Sequence, residues 1–275
     1  MTPDPMTELT PDRDGVRIAY TVQGPPGTPA LLCLNAIGTT HELWDRQVTP
    51  LAHRYRVIRC DARGHGDSPV PPGEYTIADL GRDALAVLDA TGTPAAHVCG
   101  LSLGGLTALW MALHAPDRVS SLIVANTAAR IGSPQMWAER IALVRERGMR
   151  VVVELAVPRW FTADFVGQEP DTIRRFEAMV ESCPADGYLG CCGALRDEDL
   201  RRSIAAIACP TLAIAGRHDE ATPVDALRFI RDRVEGSYML TLDAAHLSNV
   251  ERHAEFTAAV ADFLDRRQGQ ARPGG

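Results

Sequence analysis

The chain has 275 residues, 45% of them hydrophobic and 23% charged, with a formal net charge of −7 at neutral pH. That length suffices for one large α/β domain or a core with a modest insertion, and the acidic balance disfavours nucleic acid or an anionic membrane as a partner. No apolar run reaches the length of a membrane span, and the N-terminus (Met1-Thr2-Pro3-Asp4-Pro5-Met6) lacks the basic and apolar regions of a signal peptide, so the expected location is the cytoplasm.

Residues 1–10 read as a flexible tail. Strand-like runs follow at 16–22 and 30–34, around the loop Gly24-Pro25-Pro26-Gly27, and then at 55–60, 96–99 and 122–125. Helical stretches lie between them at 77–91, ended by Gly92, and at 106–114, ended by Pro116. Such alternation predicts a parallel sheet covered on both faces. It stops after Asn126. Residues 129–205 are strand-poor and helical, with Trp137, Trp160, Phe161 and Tyr188 concentrated there, and read as an inserted cap. Strands at 211–215 and 237–242 resume the pattern, so residues 11–128 and 206–268 form the core, and 269–275 read as a second tail.

The seven cysteines (33, 60, 99, 183, 191, 192 and 209) are odd in number and scattered. A disulfide framework is not expected, and most read as small core residues. The adjacent Cys191-Cys192 pair is read as packing, because no C-x-x-C or H-E-x-x-H spacing occurs in the chain. No metal is expected.

The segment Gly100-Leu101-Ser102-Leu103-Gly104 carries the chemistry. Taken alone, G-x-S-x-G is also the composition of an ordinary glycine-rich turn. Here a strand precedes it, a helix follows, and a third glycine stands at 105. That context predicts a nucleophile elbow, a bend sharp enough to leave the Ser102 hydroxyl exposed at a helix N-terminus. Serine is a weak nucleophile unless a base takes its proton, and an imidazole base needs a carboxylate to fix its tautomer. Asp219 follows the strand at 211–215, and His246 follows the strand ending at 242, so both sit at the carboxyl edge of the sheet with Ser102. Read blandly, His246 is a solvated loop histidine and Asp219 a turn former before Pro223. Asp243, three residues before His246, is a rival acid, and His218 reads as a wall or surface residue. Two backbone donors are expected for a developing oxyanion, Leu103 and a residue of the loop Asn35-Ala36-Ile37-Gly38-Thr39, for which Ile37 is the choice.

The succession of the Asn35–Thr39 loop, Trp44, Asp61-Ala62-Arg63-Gly64-His65-Gly66-Asp67-Ser68, Gly100-Leu101-Ser102-Leu103-Gly104-Gly105, Gly216-Arg217-His218-Asp219 and Ala245-His246 resembles the α/β-hydrolase superfamily over nearly the whole chain. The resemblance implies a mostly parallel central sheet with helices on both faces and a helical cap inserted after the sixth strand. Residues 126–132, Met136-Trp137, Arg159-Trp160-Phe161-Thr162, Gly187-Tyr188, Cys191-Cys192, 194–197 and 243–249 are similar to 3-oxoadipate enol-lactonases. That likeness implies a cofactor-free serine hydrolase that opens a small enol-lactone in the degradation of protocatechuate and catechol. Ser102 is then the nucleophile, His246 the base and Asp219 its orienting acid. Such a substrate carries a carboxylate, for which Arg130, Arg196 and His41 are candidate partners. Trp137 and Trp160 read as pocket walls or as glue between cap and core. Where the family often has serine on both sides of the loop asparagine and methionine after the nucleophile, this chain has Leu34, Ala36 and Leu103. A carboxylesterase, a carbon–carbon bond hydrolase or a noncatalytic binding protein of the same fold remain alternatives at this stage.

Overall fold

The computed structural model describes residues 7–12 and 15–270; residues 1–6 and 271–275, most of the two expected tails, lie outside the described residues. Eight strands form one sheet: β1 (Glu8–Leu9), β2 (Ala19–Gln23), β3 (Ala30–Leu34), β4 (Arg56–Cys60), β5 (Ala96–Leu101), β6 (Val119–Ala125), β7 (Thr211–Gly216) and β8 (Tyr238–Leu242). Their spatial order is β1-β2-β4-β3-β5-β6-β7-β8. The first two pairings are antiparallel and the remaining five are parallel. Glu8 and Leu9 correct the sequence expectation. They pair with Tyr20 and Ala19 and do not belong to a tail, but a two-residue strand exposed at both positions has no alternation to read. Residues 269–270, placed in the second tail, continue the last helix.

Every residue of β3, β5 and β7 is buried, as parallel strands covered on both faces require. From β3 the chain passes through α1 (Asp45–Leu51) to β4 on one side, and then through α2 (Ile77–Ala90) back across to β5 on the other. Right-handed crossovers in opposite directions put α1 and α2 on opposite faces of the sheet. The reversal also opens a crevice at the carboxyl ends of β3 and β5, the place where such sheets bind ligands. α2 starts on a capping box, in which the Thr76 hydroxyl accepts from Asp79 N–H at 3.1 Å and the Asp79 carboxylate accepts from Thr76 N–H at 2.9 Å. α3 (Leu103–His114) begins directly after Ser102.

After β6 the chain leaves the core for α4 (Pro134–Arg147), α5 (Arg150–Ala156), α6 (Ala163–Gln168), α7 (Pro170–Ser182) and α8 (Ala185–Asp197), and it returns to β7. α9 (Val224–Arg231), α10 (Ser248–Glu251) and α11 (His253–Gln270) complete the core. The helical insertion docks through α8. Glycines recur on it at 187, 190 and 193, one turn apart, and each faces the core. A Cβ at Gly187 would lie 2.0 Å from the Gly64 carbonyl oxygen, one at Gly190 would lie 2.5 Å from the Tyr75 ring, and one at Gly193 would lie 3.0 Å from the Glu74 side chain. The missing side chains therefore let the α8 backbone rest on the 61–75 segment and carry Tyr188 to the crevice, where its ring packs against Gly38.

Because Gly187 meets backbone, no side-chain rotation relieves an added methyl. Gly187→Ala is expected to destabilise by about 1–3 kcal/mol through overpacking. Gly167→Ala, inside α6 where a Cβ meets nothing within 4 Å, is expected to be neutral or stabilising by up to about 1 kcal/mol. Urea unfolding of both variants checks the pair, and equal effects would contradict the docking role of α8.

Candidate active site

Ser102 stands at φ 56°, ψ −116°, between β5 and α3. A non-glycine residue in the left-handed region stores strain that its surroundings must hold, and three contacts do so. Ser102 N–H donates to the Ala125 carbonyl at 3.0 Å, and the Ser102 carbonyl accepts from Leu106 N–H at 3.0 Å and from the Thr127 hydroxyl at 2.7 Å. The flanking glycines are steric necessities. A Cβ at Gly100 would fall 2.1 Å from the Gly104 carbonyl oxygen, and one at Gly104 would fall 2.2 Å from that of Leu34.

The loop after β3 is pinned to this elbow by Asn35. Its carbonyl accepts from Gly104 N–H at 2.9 Å, its amide donates to the Cys60 carbonyl at 2.7 Å, and its side-chain oxygen accepts from the Trp44 indole at 2.9 Å. Gly38 N–H donates to His65 Nε2 at 3.0 Å. The N–H groups of Ile37 and Leu103, by contrast, donate to no acceptor among the described residues. Two free donors beside a serine at a helix N-terminus have the chemistry of an anion cradle.

His246 Nδ1 lies 2.8 Å from Asp219 Oδ2, with both side chains buried. The same Asp219 oxygen accepts from the Thr222 hydroxyl at 2.6 Å and the Asn126 amide at 2.9 Å, while Oδ1 accepts from the N–H groups of Ala221 and Thr222 at 2.9 and 3.0 Å. Burial opposes ionisation of Asp219, but the charge of His246 and the bonds from His246, Thr222 and Asn126 outweigh it and hold the carboxyl down at about 2. With Asp219 ionised, Nδ1 carries the proton and Nε2 is free to accept. No hydrogen bond to Ser102 Oγ or His246 Nε2 forms among the described residues. Asp243, the rival acid, is exposed and pairs instead with His218 Nε2 at 2.9 Å and with Arg217 and Arg252, which leaves His218 on the surface.

The sheet order, the elbow and the insertion after β6 coincide with a family model for the α/β hydrolase fold, which matches residues 29–253. The chain belongs to the α/β-hydrolase family. It is 39% identical to a 3-oxoadipate enol-lactonase of Acinetobacter baylyi over 91% of this chain and 94% of the relative. It is 32% identical to a RutD protein of Variovorax paradoxus over 90% of this chain and 96% of the relative. The crystal structure of an enol-lactonase from Burkholderia xenovorans superposes with a TM-score of 0.91 at 36% identity, covering 94% of this chain and all of the other. No helix among the described residues is long and apolar enough to cross a membrane.

In this α/β hydrolase each of the three cations expected to meet a substrate carboxylate has a carboxylate partner within the chain. Arg130 pairs with Asp199 at 3.1 Å, and Arg196 pairs with Glu74 and Asp197, each at 2.8 Å. His41 lies 3.1 Å from the buried Asp61 carboxylate; burial works against its charge, but the hydrogen bond and charge of Asp61 prevail and raise its pKa. Another cation of the insertion has no carboxylate partner among the described residues. Arg140, half-buried on α4, stands near Tyr188 and Cys192, where its charge works against the rise in pKa that burial imposes on both. Trp137 and Trp160 are both buried. The Trp137 indole donates to the Ile131 carbonyl at 2.7 Å, stapling the start of the insertion. The Trp160 carbonyl accepts from Leu247 N–H at 3.0 Å, next to His246.

Three residues escaped the sequence reading. Asn126, at φ 44°, donates to Asp219 and to the Ala245 carbonyl (3.1 Å) while accepting from Ser248 Oγ at 2.5 Å. Thr222 caps the acid. The buried carboxylate of Glu251 accepts from Ala245 N–H at 3.0 Å and from the hydroxyl and N–H of Thr162, tying the insertion to the His246 loop. Asparagine immediately after a buried strand was the available signal for the first.

Because the folded pKa of Asp219 lies below the ordinary carboxylate value, its stabilisation is fully present above about pH 4 and lost as pH falls through 2. A shift of that size corresponds to about 2 kcal/mol at neutral pH. Asp219→Asn is therefore expected to be less stable than the wild type by about that amount at pH 7 and to close the gap toward pH 2–3. Urea unfolding across that range checks it, and a gap independent of pH would contradict the assignment.

Proposed function

We propose that this α/β hydrolase is a serine esterase that opens 3-oxoadipate enol-lactone to 3-oxoadipate. The reading is supported by the strained Ser102, the free N–H groups of Ile37 and Leu103, and the buried His246–Asp219 pair, all at the carboxyl edge of the sheet, in a chain similar to enol-lactonases over 91–94% of its length.

In this reading His246 Nε2 takes the Ser102 proton as Oγ attacks the lactone carbonyl, and the N–H groups of Ile37 and Leu103 receive the oxyanion. Collapse breaks the ring C–O bond. His246 returns the proton to the departing enol, which tautomerises to the ketone and so resists ring closure. A water molecule, deprotonated by the same imidazole, then attacks the Ser102 acyl group and releases the dicarboxylic acid. Asp219 stays ionised throughout and stabilises the imidazolium.

The substrate's free carboxylate needs a partner that is not already neutralised. Arg140 meets that condition and stands beside Tyr188, whose ring packs on Gly38 next to the proposed oxyanion donor. Arg130, Arg196 and His41 do not.

Two measurements test the reading. Ultraviolet-monitored hydrolysis of freshly generated enol-lactone is expected to be fast and to fall by about 10⁴-fold or more in Ser102→Ala, with little turnover of a p-nitrophenyl ester. Ester turnover alone would make the protein an esterase of another substrate, and no turnover of either would favour another substrate class or a binding role. Arg140→Met is expected to raise KM for the anionic lactone by about 10- to 100-fold, the worth of one charge-assisted hydrogen bond, without changing kinetics on a neutral ester. An unchanged KM would remove Arg140 from the substrate site.

A further inference from the structure

The His65 ring is buried, and its two nitrogens have different obligations. Nδ1 lies 3.2 Å from the Arg63 carbonyl oxygen, which can only accept, and Nε2 lies 3.0 Å from Gly38 N–H, which can only donate. One neutral tautomer satisfies both bonds, with the proton on Nδ1 and a lone pair on Nε2. An imidazolium satisfies only the first, because its Nε2–H would confront Gly38 N–H.

Gly38 is the neighbour of Ile37 and sits at φ +78°, a left-handed conformation. Among the described residues its N–H bonds only to His65, and the Tyr188 ring packs against the face where a Cβ would stand. On one side of this residue, Asn35 is fixed by three bonds. On the other, Thr39 folds back onto Ala36, with its N–H at 3.2 Å and its hydroxyl at 2.8 Å from the Ala36 carbonyl. His65 therefore holds the Ile37–Gly38 peptide at the centre of this turn, while Thr39 closes the turn on the Ala36 carbonyl, whose peptide carries Ile37 N–H.

We propose that His65 is a positioning residue for the oxyanion loop: its neutral ring holds the central peptide of the Ala36–Thr39 turn, the turn that presents Ile37 N–H to Ser102, and protonation of the ring releases that turn and disarms the site. The inference rests on Ile37 being an oxyanion donor, as in the function proposed above. Burial lowers the pKa of His65, against the smaller opposing influences of the Arg63 carbonyl and the Asp61 carboxylate, so the competent tautomer prevails at neutral pH. Solvent protons reach the ring through a cleft that His65 and Gly38 share with Asp67, Met179 and Cys183. The ionisable groups facing it are Asp61, already bonded to His41 and to Asp67 N–H, Asp67 itself, and the Cys183 thiol, which burial pushes up to about 12. None of the three substitutes for Nε2 as the acceptor of Gly38 N–H.

The test compares wild type, His65→Leu and His65→Gln, with fold checked by circular dichroism. Leucine removes the acceptor. It is expected to lower kcat on the enol-lactone at least tenfold with KM within about twofold, and to weaken a boronic acid that forms a tetrahedral adduct on Ser102 by the same factor, while affinity for the carboxylate product is unchanged. Glutamine, whose Oε1 can reach the Nε2 position, is expected to recover most of the loss. In the wild type, kcat/KM is expected to fall more steeply on the acid side than in His65→Gln, whose side chain cannot take up a proton, and to recover on return to neutral pH. Acid-side profiles of wild type and His65→Gln that coincide, or a folded His65→Leu protein with unchanged kcat and boronate affinity, overturn the proposal. If His65→Leu fails to fold, the wild-type and glutamine pH profiles decide alone. Loss of activity in Ser102→Ala combined with indifference to His65 would sink this inference and leave the hydrolase reading standing.

Discussion

The contact on which the rest of the site depends is the one between Gly104 and Asn35. Gly104 N–H donates to the Asn35 carbonyl at 2.9 Å, and the two backbones approach so closely that a single methyl at position 104 would reach 2.2 Å from the Leu34 carbonyl oxygen. That approach joins the first turn of α3 to the loop after β3. It sets the distance between two N–H groups that come from chain segments more than sixty residues apart. Asn35 spends its carbonyl and both polar atoms of its side chain on this purpose, against Gly104, Cys60 and Trp44. The strain at Ser102 is then affordable only because the elbow is held from the β3 side by Asn35 and from the β6 side by Ala125 and Thr127.

A second constraint comes from burying an anion. Asp219 is stable as a carboxylate because its oxygens take up donors from Ala221, Thr222, Asn126 and His246 together, and a buried carboxylate with fewer partners would take up a proton. Asn126 makes that arrangement continuous with the His246 loop through the Ala245 carbonyl, and Glu251 extends it to Thr162 in the insertion. The helical insertion is thus bonded to the loop that carries His246. On its other side the glycine stripe of α8 seats it on the 61–75 segment, which also holds His65. Both routes end at peptides beside the reacting groups, so packing of the insertion and geometry of the site are parts of one structure.

Much of this was legible in the sequence, for physical reasons. Strands such as β3 and β5 are continuous apolar runs because parallel strands are covered on both faces, and the G-x-S-x-G turn is readable because sterics leave few alternatives to glycine. Asp219 and His246 were legible from their places after two strands. The structure joins them at 2.8 Å and separates Asp243 onto the surface. The cations were not legible. Arg130, Arg196 and His41 were chosen for charge and position, but whether an arginine is free depends on carboxylates distant in sequence, such as Glu74 for Arg196 and Asp61 for His41. β1 has too few residues for a pattern. Asn126 and Glu251 act through backbone groups brought together by the fold, which no local signal encodes. The glycines at 187, 190 and 193 did carry one, a three-residue helical repeat of small side chains.

The central claim is that two backbone groups, Ile37 N–H and Leu103 N–H, are aimed at the oxygen of a tetrahedral species on Ser102. The most direct measurement is a crystal structure of the protein with a boronic acid bonded to Ser102 Oγ. The account predicts one boronate oxygen within hydrogen-bond distance of both N–H groups, with Gly38 N–H still on His65. A boronate whose oxygens turn to solvent, or that displaces His65 to take Gly38 N–H, would contradict it.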